Sequence, residues 1–140
     1  MTRFVLDASV ALAWFLDNPV PLYATRVKQL LLAGARAVVP RLWHLEMANG
    51  LAVAERRRIL TVVEGTRSLT LVEELLSQAI ETSSEFPTMR QALTTARAFH
   101  LSAYDGVYLD TARSEGLPVA TLDQSLRAAA RRASVELLQW

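Results

Sequence analysis

The residues that decide the fold are Arg3-Phe4-Val5-Leu6-Asp7-Ala8-Ser9. Phe4-Val5-Leu6 is an apolar run without polar alternation, as expected of a strand covered on both faces, and the amphipathic segments that follow can supply the covers. Asp7 closes the run. In an open sheet of parallel strands the ligand crevice lies outside the carboxyl ends of the strands, so an acid at the end of the first strand is a candidate site residue.

Working outward, helical and extended segments alternate. Ser9 to Phe15 reads as a helix with Val10, Trp14 and Phe15 on one side, stopped by Asn18-Pro19-Val20-Pro21. A second helix covers Leu22 to Ala33 with Gly34 as its C-cap, and Ala37-Val38-Val39 is the second strand, closed by Pro40. Leu42 to Arg57 forms a third helix with Glu46, Asn49, Gly50 and Val53 on one face. Leu45, Met47, Ala48, Leu51 and Ala52 give apolar contacts around much of the rest, which sets Glu46 within a largely buried helix. Thr61 to Leu76 is a fourth helix and Ala79-Ile80-Glu81 a third strand.

Pro87 opens a helix running to His100, with Met89, Ala92, Leu93 and Ala96 as its inner side. Ser102, with Asp105 three residues on, has the spacing of a capping box and starts a helix that ends at Gly116. Pro118 to Thr121 is a strand, Asp123 opens a helix through Arg132, and Val135-Glu136-Leu137-Leu138 is a final strand. This alternation predicts an α/β class with a mainly parallel sheet. The 140 residues, 51% of them hydrophobic, are enough for one domain over 1–140 with a full core.

Composition narrows the function. No apolar run is long enough to cross a bilayer and the start lacks the order of a signal peptide, so a soluble cytoplasmic protein without membrane attachment is expected. With no cysteine, disulfides, thiolate metal sites and cysteine nucleophiles are excluded. A net charge of +1 gives no global basic field, although Lys28 is the only lysine and the arginines cluster at Arg56-Arg57-Arg58 and Arg131-Arg132. Those clusters read either as solvated helix faces or as phosphate contacts.

Four acids stand out: Asp7 and Asp123 after strands, Glu46 inside an apolar helix, and Asp105 in a first turn. Taken singly, Asp7 and Asp123 fit N-caps, Asp105 fits the acidic partner of Ser102, and Glu46 fits a hydrated edge. Taken together, strand ends and the helix starts that follow them share one edge of a right-handed α/β sheet, which brings three of the four to the same place. Clustered carboxylates repel, so convergence calls for protonation or a cation. Mg2+, with Mn2+ of similar preference, is a hard cation that joins carboxylates to phosphates and keeps waters. Neither His44 nor His100 has a second histidine at ligand spacing, which argues against zinc. The chemistry indicated is metal-assisted phosphoryl transfer.

Four segments, Val5-Leu6-Asp7-Ala8-Ser9, Pro40 to Asn49, Ser102 to Leu109 and Ala120-Thr121-Leu122-Asp123, come in an order and spacing that resembles the PIN-domain nucleases, and among them the VapC-like ribonuclease toxins of toxin-antitoxin pairs. The resemblance implies a PIN-like three-layer fold with a central sheet of about five strands flanked by helices. It also implies a divalent-metal site at Asp7, Glu46, Asp105 and Asp123, ordered by Ser9 and Thr121, and hydrolysis of RNA. Partners implied are a small antitoxin and a second copy in a homodimer. Arg56, Arg57 and Arg58 are candidates for drawing RNA toward an acidic site. Trp14, Phe15, Trp43 and Trp140 are either core residues or partner contacts. Gly106 stands where the family often has alanine, and Asp110, off the face of Asp105, is expected at the rim.

Alternatives are a non-catalytic PIN-fold binding module and another acid-cluster phosphoryl-transfer protein. A phosphorelay receiver needs a lysine at a late strand end, whereas Lys28 falls on an early helix. A haloacid-dehalogenase-like phosphatase spaces two aspartates one residue apart, and Asp7-Ala8-Ser9 has serine there.

Overall fold

The computed structural model describes residues 2–139; Trp140 lies outside the described residues. Four strands, β1 (Arg3–Leu6), β2 (Arg36–Val39), β3 (Ile80–Thr82) and β4 (Val119–Ala120), form a sheet in the order β3-β2-β1-β4. All three pairings are parallel. Helices fill the connections: α1 (Ala8–Leu16), α2 (Leu22–Leu32), α3 (Leu42–Arg56), α4 (Val62–Gln78), α5 (Met89–Phe99), α6 (Ala103–Glu115) and α7 (Gln124–Arg132). This is the α/β architecture expected, a central parallel sheet flanked by helices.

The opening run has the burial that its sequence predicts. Phe4, Val5 and Leu6 are each 0% exposed; consecutive strand residues point to opposite faces, so both faces of β1 are covered. Trp43 joins this core, with Trp14 and Phe15 packed partly buried against it. Gly34 follows the α2 C-cap Ala33 with φ +105°, a conformation that costs an L side chain dearly.

The final strand expected at Val135–Leu138 is reduced to one parallel bridge, Val119 with Leu137. β4 is only two residues long, and the Val135 amide still closes the α7 terminus on the Ala130 carbonyl. Only the bonds between Val119 and Glu136 and Leu138 remain for pairing. Two apolar faces also differ from expectation. On α3 the buried residues are Trp43, Met47, Leu51 and Ala54, whereas Leu45 and Ala48 face solvent, so Glu46 lies at the border of a one-sided helix. On α5, Met89 is 92% exposed and Leu93 is exposed too; the fully buried residue is Thr95. That helix starts at Met89 rather than Pro87, because Thr88 and Gln91 make a reciprocal capping box.

Gly106 explains why a threonine sits in the α5–α6 contact. A Cβ built on Gly106 would stand 3.3 Å from Thr95 Cγ2, so the glycine lets the two helices approach closely just where α6 presents Asp105.

Candidate metal centre at the strand ends

β1 and β4 leave the sheet side by side: Leu6 pairs with Ala120, and the Asp7 amide donates to the Ala120 carbonyl at 3.0 Å. This brings Asp7 and Ser9 against Thr121 and Asp123. Ser9 Oγ and Thr121 Oγ1 both donate to Asp7 Oδ2, at 2.6 and 2.7 Å. Each hydroxyl has one proton to give, so each can only accept from its next neighbour. Accordingly Leu122 N donates to Ser9 Oγ and Asp123 N to Thr121 Oγ1, both at 3.0 Å. Asp7 occupies an N-cap position but its side chain does not cap α1. Its carboxylate is held by the neighbouring strand end instead.

The other three acids are placed differently. Asp123 is a true N-cap, its Oδ1 accepting from Leu126 N at 2.8 Å. Asp105 lies in the first turn of α6, where Ser102 Oγ accepts from its amide at 3.1 Å and performs the capping. Glu46, from the second turn of α3, accepts from the Tyr108 hydroxyl at 2.6 Å. Tyr108 follows Asp105 by three residues on α6 and so shares its side of the helix.

Asp7 and Asp105 feel the charges of their neighbours in this group, and Glu46 feels those of Asp7 and Asp105. Burial raises the pKa of Asp7, only 4% exposed; the Ser9 and Thr121 hydroxyls pull it back, and the charge of Asp123 raises it further. Burial likewise raises Glu46, with the Tyr108 bond opposing it and the charges of Asp7 and Asp105 adding to it. Asp105 is raised by burial and by the charges of Asp123 and Asp7. The Tyr108 phenol is driven upward by burial, by Asp7 and by its bond to Glu46, so it stays protonated and serves as a donor.

Electrostatic contact is not a cage. Among the described residues, no three His, Cys, Asp or Glu side chains stand in an arrangement that would hold a metal ion. The four acids come from four different segments: the β1 end, the second turn of α3, the first turn of α6 and the start of α7. The donor chemistry nonetheless suits a hydrated Mg2+ or Mn2+, which binds through one or two carboxylates and keeps its waters. All the donors are oxygens, and both histidines are elsewhere: His44 Nε2 bonds Thr82 Oγ1 at 2.8 Å and His100 caps α5.

Arg56, Arg57 and Arg58 are exposed at the far end of α3. Ten residues separate Arg56 from Glu46, about 15 Å along the helix axis, so the structure does not bring them to the acids. Asp110, expected at the rim, is half-buried: Thr95 Oγ1 donates to its carboxylate at 2.8–2.9 Å, and burial raises its pKa against the pull of Thr95 and Arg113. Two residues near the centre escaped the sequence reading. Tyr108 was hidden in the apolar run of α6, where only its spacing from Asp105 marked it. Arg127, four residues after Asp123, donates to the Thr121 carbonyl at 2.7 Å and lies 5.0 Å from the Tyr23 ring centroid.

The family model described as PIN domain matches residues 4–132. The chain belongs to the PIN-domain family. PIN domains are generally nucleases, and nucleases of this family generally use divalent metals. No curated protein matches the chain in sequence. Among solved structures it is similar to PAE2754 from Pyrobaculum aerophilum, with 22% identity over 91% of this chain and 84% of that one and a TM-score of 0.69. It is also similar to FitAcB from Neisseria gonorrhoeae, with 20% identity over 97% and 96% and a TM-score of 0.67. A domain of a functionally unknown protein from Methanocaldococcus jannaschii follows with 17% identity over 100% and 93% and a TM-score of 0.57. At these identities the likeness is one of fold.

Proposed function

We propose that this PIN domain is a divalent-metal-dependent endoribonuclease, VapC-like, and the toxin half of a toxin-antitoxin pair. The observation that carries the reading is the Asp7 carboxylate, buried at the β1 end, oriented by Ser9 and Thr121, and in electrostatic contact with Asp123 and, through Glu46 and Asp105, with the rest of the group. Asp7, Asp105 and Asp123 are the carboxylates proposed to hold a hydrated Mg2+ or Mn2+, one or two of them directly and the rest through its waters, with Glu46 also contributing through water. When bound, the cation supplies Lewis-acid polarisation of the phosphodiester and makes water more acidic. The protein's own work is positional. Ser9 and Thr121 aim Asp7, Tyr108 fixes Glu46, and the raised pKa of Glu46 suits it to receive a proton from the attacking water.

The biological setting belongs to the same proposal: a cytoplasmic protein, a homodimer, restrained by a small antitoxin. Exposed Leu45, Met89 and Leu93 offer apolar surface for such contacts. No helix among the described residues is long and apolar enough to cross a membrane. One rival is a PIN fold kept as a binding module without catalysis. Mixed RNA incubated with wild type and Asp7→Asn, in magnesium and in chelator, separates the two. The enzyme cleaves only as wild type with metal, and a module gives no cleavage in any lane.

A further inference from the structure

A groove of about 1110 Å3 lies beside the four acids rather than over them, between the Pro40–Leu42 turn, the 85–88 segment, α5 and α6. Arg41, Arg90 and Arg113 line it, and none of the three makes an ion pair with a described residue. Arg41 lies over the Phe86 ring, 4.2 Å from its centroid, and Phe86 itself is 69% exposed. The two acids that also line the groove are engaged: Asp110 by Thr95, and Glu85 by Ser114 Oγ at 2.9 Å. Arg113 stands close enough to Asp110 to lower its pKa, but the three arginines outnumber the two acids, which leaves the groove with an excess of positive charge.

The groove comes within one helical turn of two residues of the centre. Leu42, on its wall, and Glu46 are one turn apart on one face of α3; Thr111, on the opposite wall, and Tyr108 are neighbours on α6. The 2.6 Å bond between Tyr108 and Glu46 joins these helices beside the groove, and Asp105 lies beyond that bond, on a face of α6 turned away from Asp110. The volume exceeds the ~300–1,000 Å3 of ordinary small-molecule sites and suits a polymer. Guanidinium groups for phosphates beside an exposed aromatic for a base are the elements of a single-strand channel.

We propose that this groove carries single-stranded RNA to the four-acid centre, with Arg41, Arg90 and Arg113 on phosphates and Phe86 beneath a base. The assignment rests on the ribonuclease reading. It is tested by the fluorescence anisotropy of a short labelled oligouridylate, titrated with wild type in chelator at a series of salt concentrations. Each phosphate contact on a single strand steepens the dependence of log affinity on log salt by about 0.7, so Arg90→Ala/Arg113→Ala should flatten the slope by about 1.4 and weaken low-salt binding about tenfold. Phe86→Ala should weaken binding about tenfold with the slope unchanged, because stacking releases no counterions. These arginines are exposed, and melting curves matching wild type verify that the variants are folded.

A wild-type slope in Arg90→Ala/Arg113→Ala, or the loss appearing instead in Arg56→Ala/Arg57→Ala, overturns the groove assignment. If wild type still cleaves RNA in magnesium, the ribonuclease reading survives that result. A wild type that neither binds nor cleaves RNA, while the groove takes up an acidic peptide, overturns both.

Discussion

Replacing Asp7 by asparagine should stabilise the metal-free protein at pH 8. The amide keeps the shape and an acceptor oxygen but carries no charge. Two charge-assisted hydroxyl bonds, at about 1.5–3 kcal/mol each, become neutral ones at about 0.5–1.5, a loss of about 2–3 kcal/mol. Against that stands the removal of a buried charge, whose effective desolvation penalty is several kcal/mol. Repulsion from Asp123 acts in the same direction. Burial is the largest influence on Asp7 and outweighs its hydroxyl partners, so removal of the charge wins. The expected gain is about 2 kcal/mol, or a melting temperature roughly 6 °C higher. The pH dependence has a fixed sign. The folded-state pKa of Asp7 is raised, so its penalty is absent below the unfolded value, grows as pH rises toward the folded value, and is full above it. Thermal melts in chelator at pH 8 and about pH 4, near the unfolded aspartate value, should therefore show the advantage of Asp7→Asn shrinking with acidification. Added magnesium should raise the wild-type melting temperature more than that of the variant. A variant less stable than wild type by the same amount at both pH values would refute the reasoning and make Asp7 a structural acceptor.

Tyr108→Phe removes the donor that holds Glu46 and should cost about 1–3 kcal/mol, read as a lower urea midpoint; an unmoved midpoint would mean that Glu46 is held otherwise. Asp105→Ala should leave the metal-free protein as stable as wild type while reducing the magnesium-induced rise in melting temperature. If Asp105 served only the helix start, the variant would lose about 0.5–2 kcal/mol with or without metal. Gly106→Ala gains about 1 kcal/mol of helix propensity but crowds Thr95 Cγ2 at 3.3 Å. The double variant with Thr95→Ser, which keeps the hydroxyl on Asp110 and removes that methyl, should melt above Gly106→Ala alone.

What was legible in the chain follows from how local each determinant is. Phe4-Val5-Leu6 and Asp7 could be read directly, because a strand buried on both faces leaves an unalternated apolar run and its end is marked by the first acid. Asp123 could be read by the same logic after β4, the strand beside β1 in the sheet. The strand at Val135–Leu138 was not, since its pairing depends on the length of β4, a property of another segment. Helical spacing puts Met89 and Leu93 on the same side as Ala92 and Ala96, yet the α5–α6 contact is set by Gly106 and a polar Thr95, so Met89 and Leu93 turn outward while Ala92 and Ala96 stay partly buried. Strand-end logic points three of the acids to one sheet edge, but how each carboxylate is held, as Glu46 is by Tyr108, depends on tertiary packing. Tyr108 was invisible as a functional group because burial and hydrogen bonding to Glu46 are facts of tertiary packing.

In the proposed reaction, water activated at the four-acid centre attacks the phosphodiester. RNA cleaved by wild type in magnesium and heavy-oxygen water should carry one heavy oxygen in the new terminal phosphate, and Asp7→Asn or chelator should abolish the product. Cleavage that leaves an unlabelled cyclic phosphate, or that continues undiminished in chelator, would contradict the account.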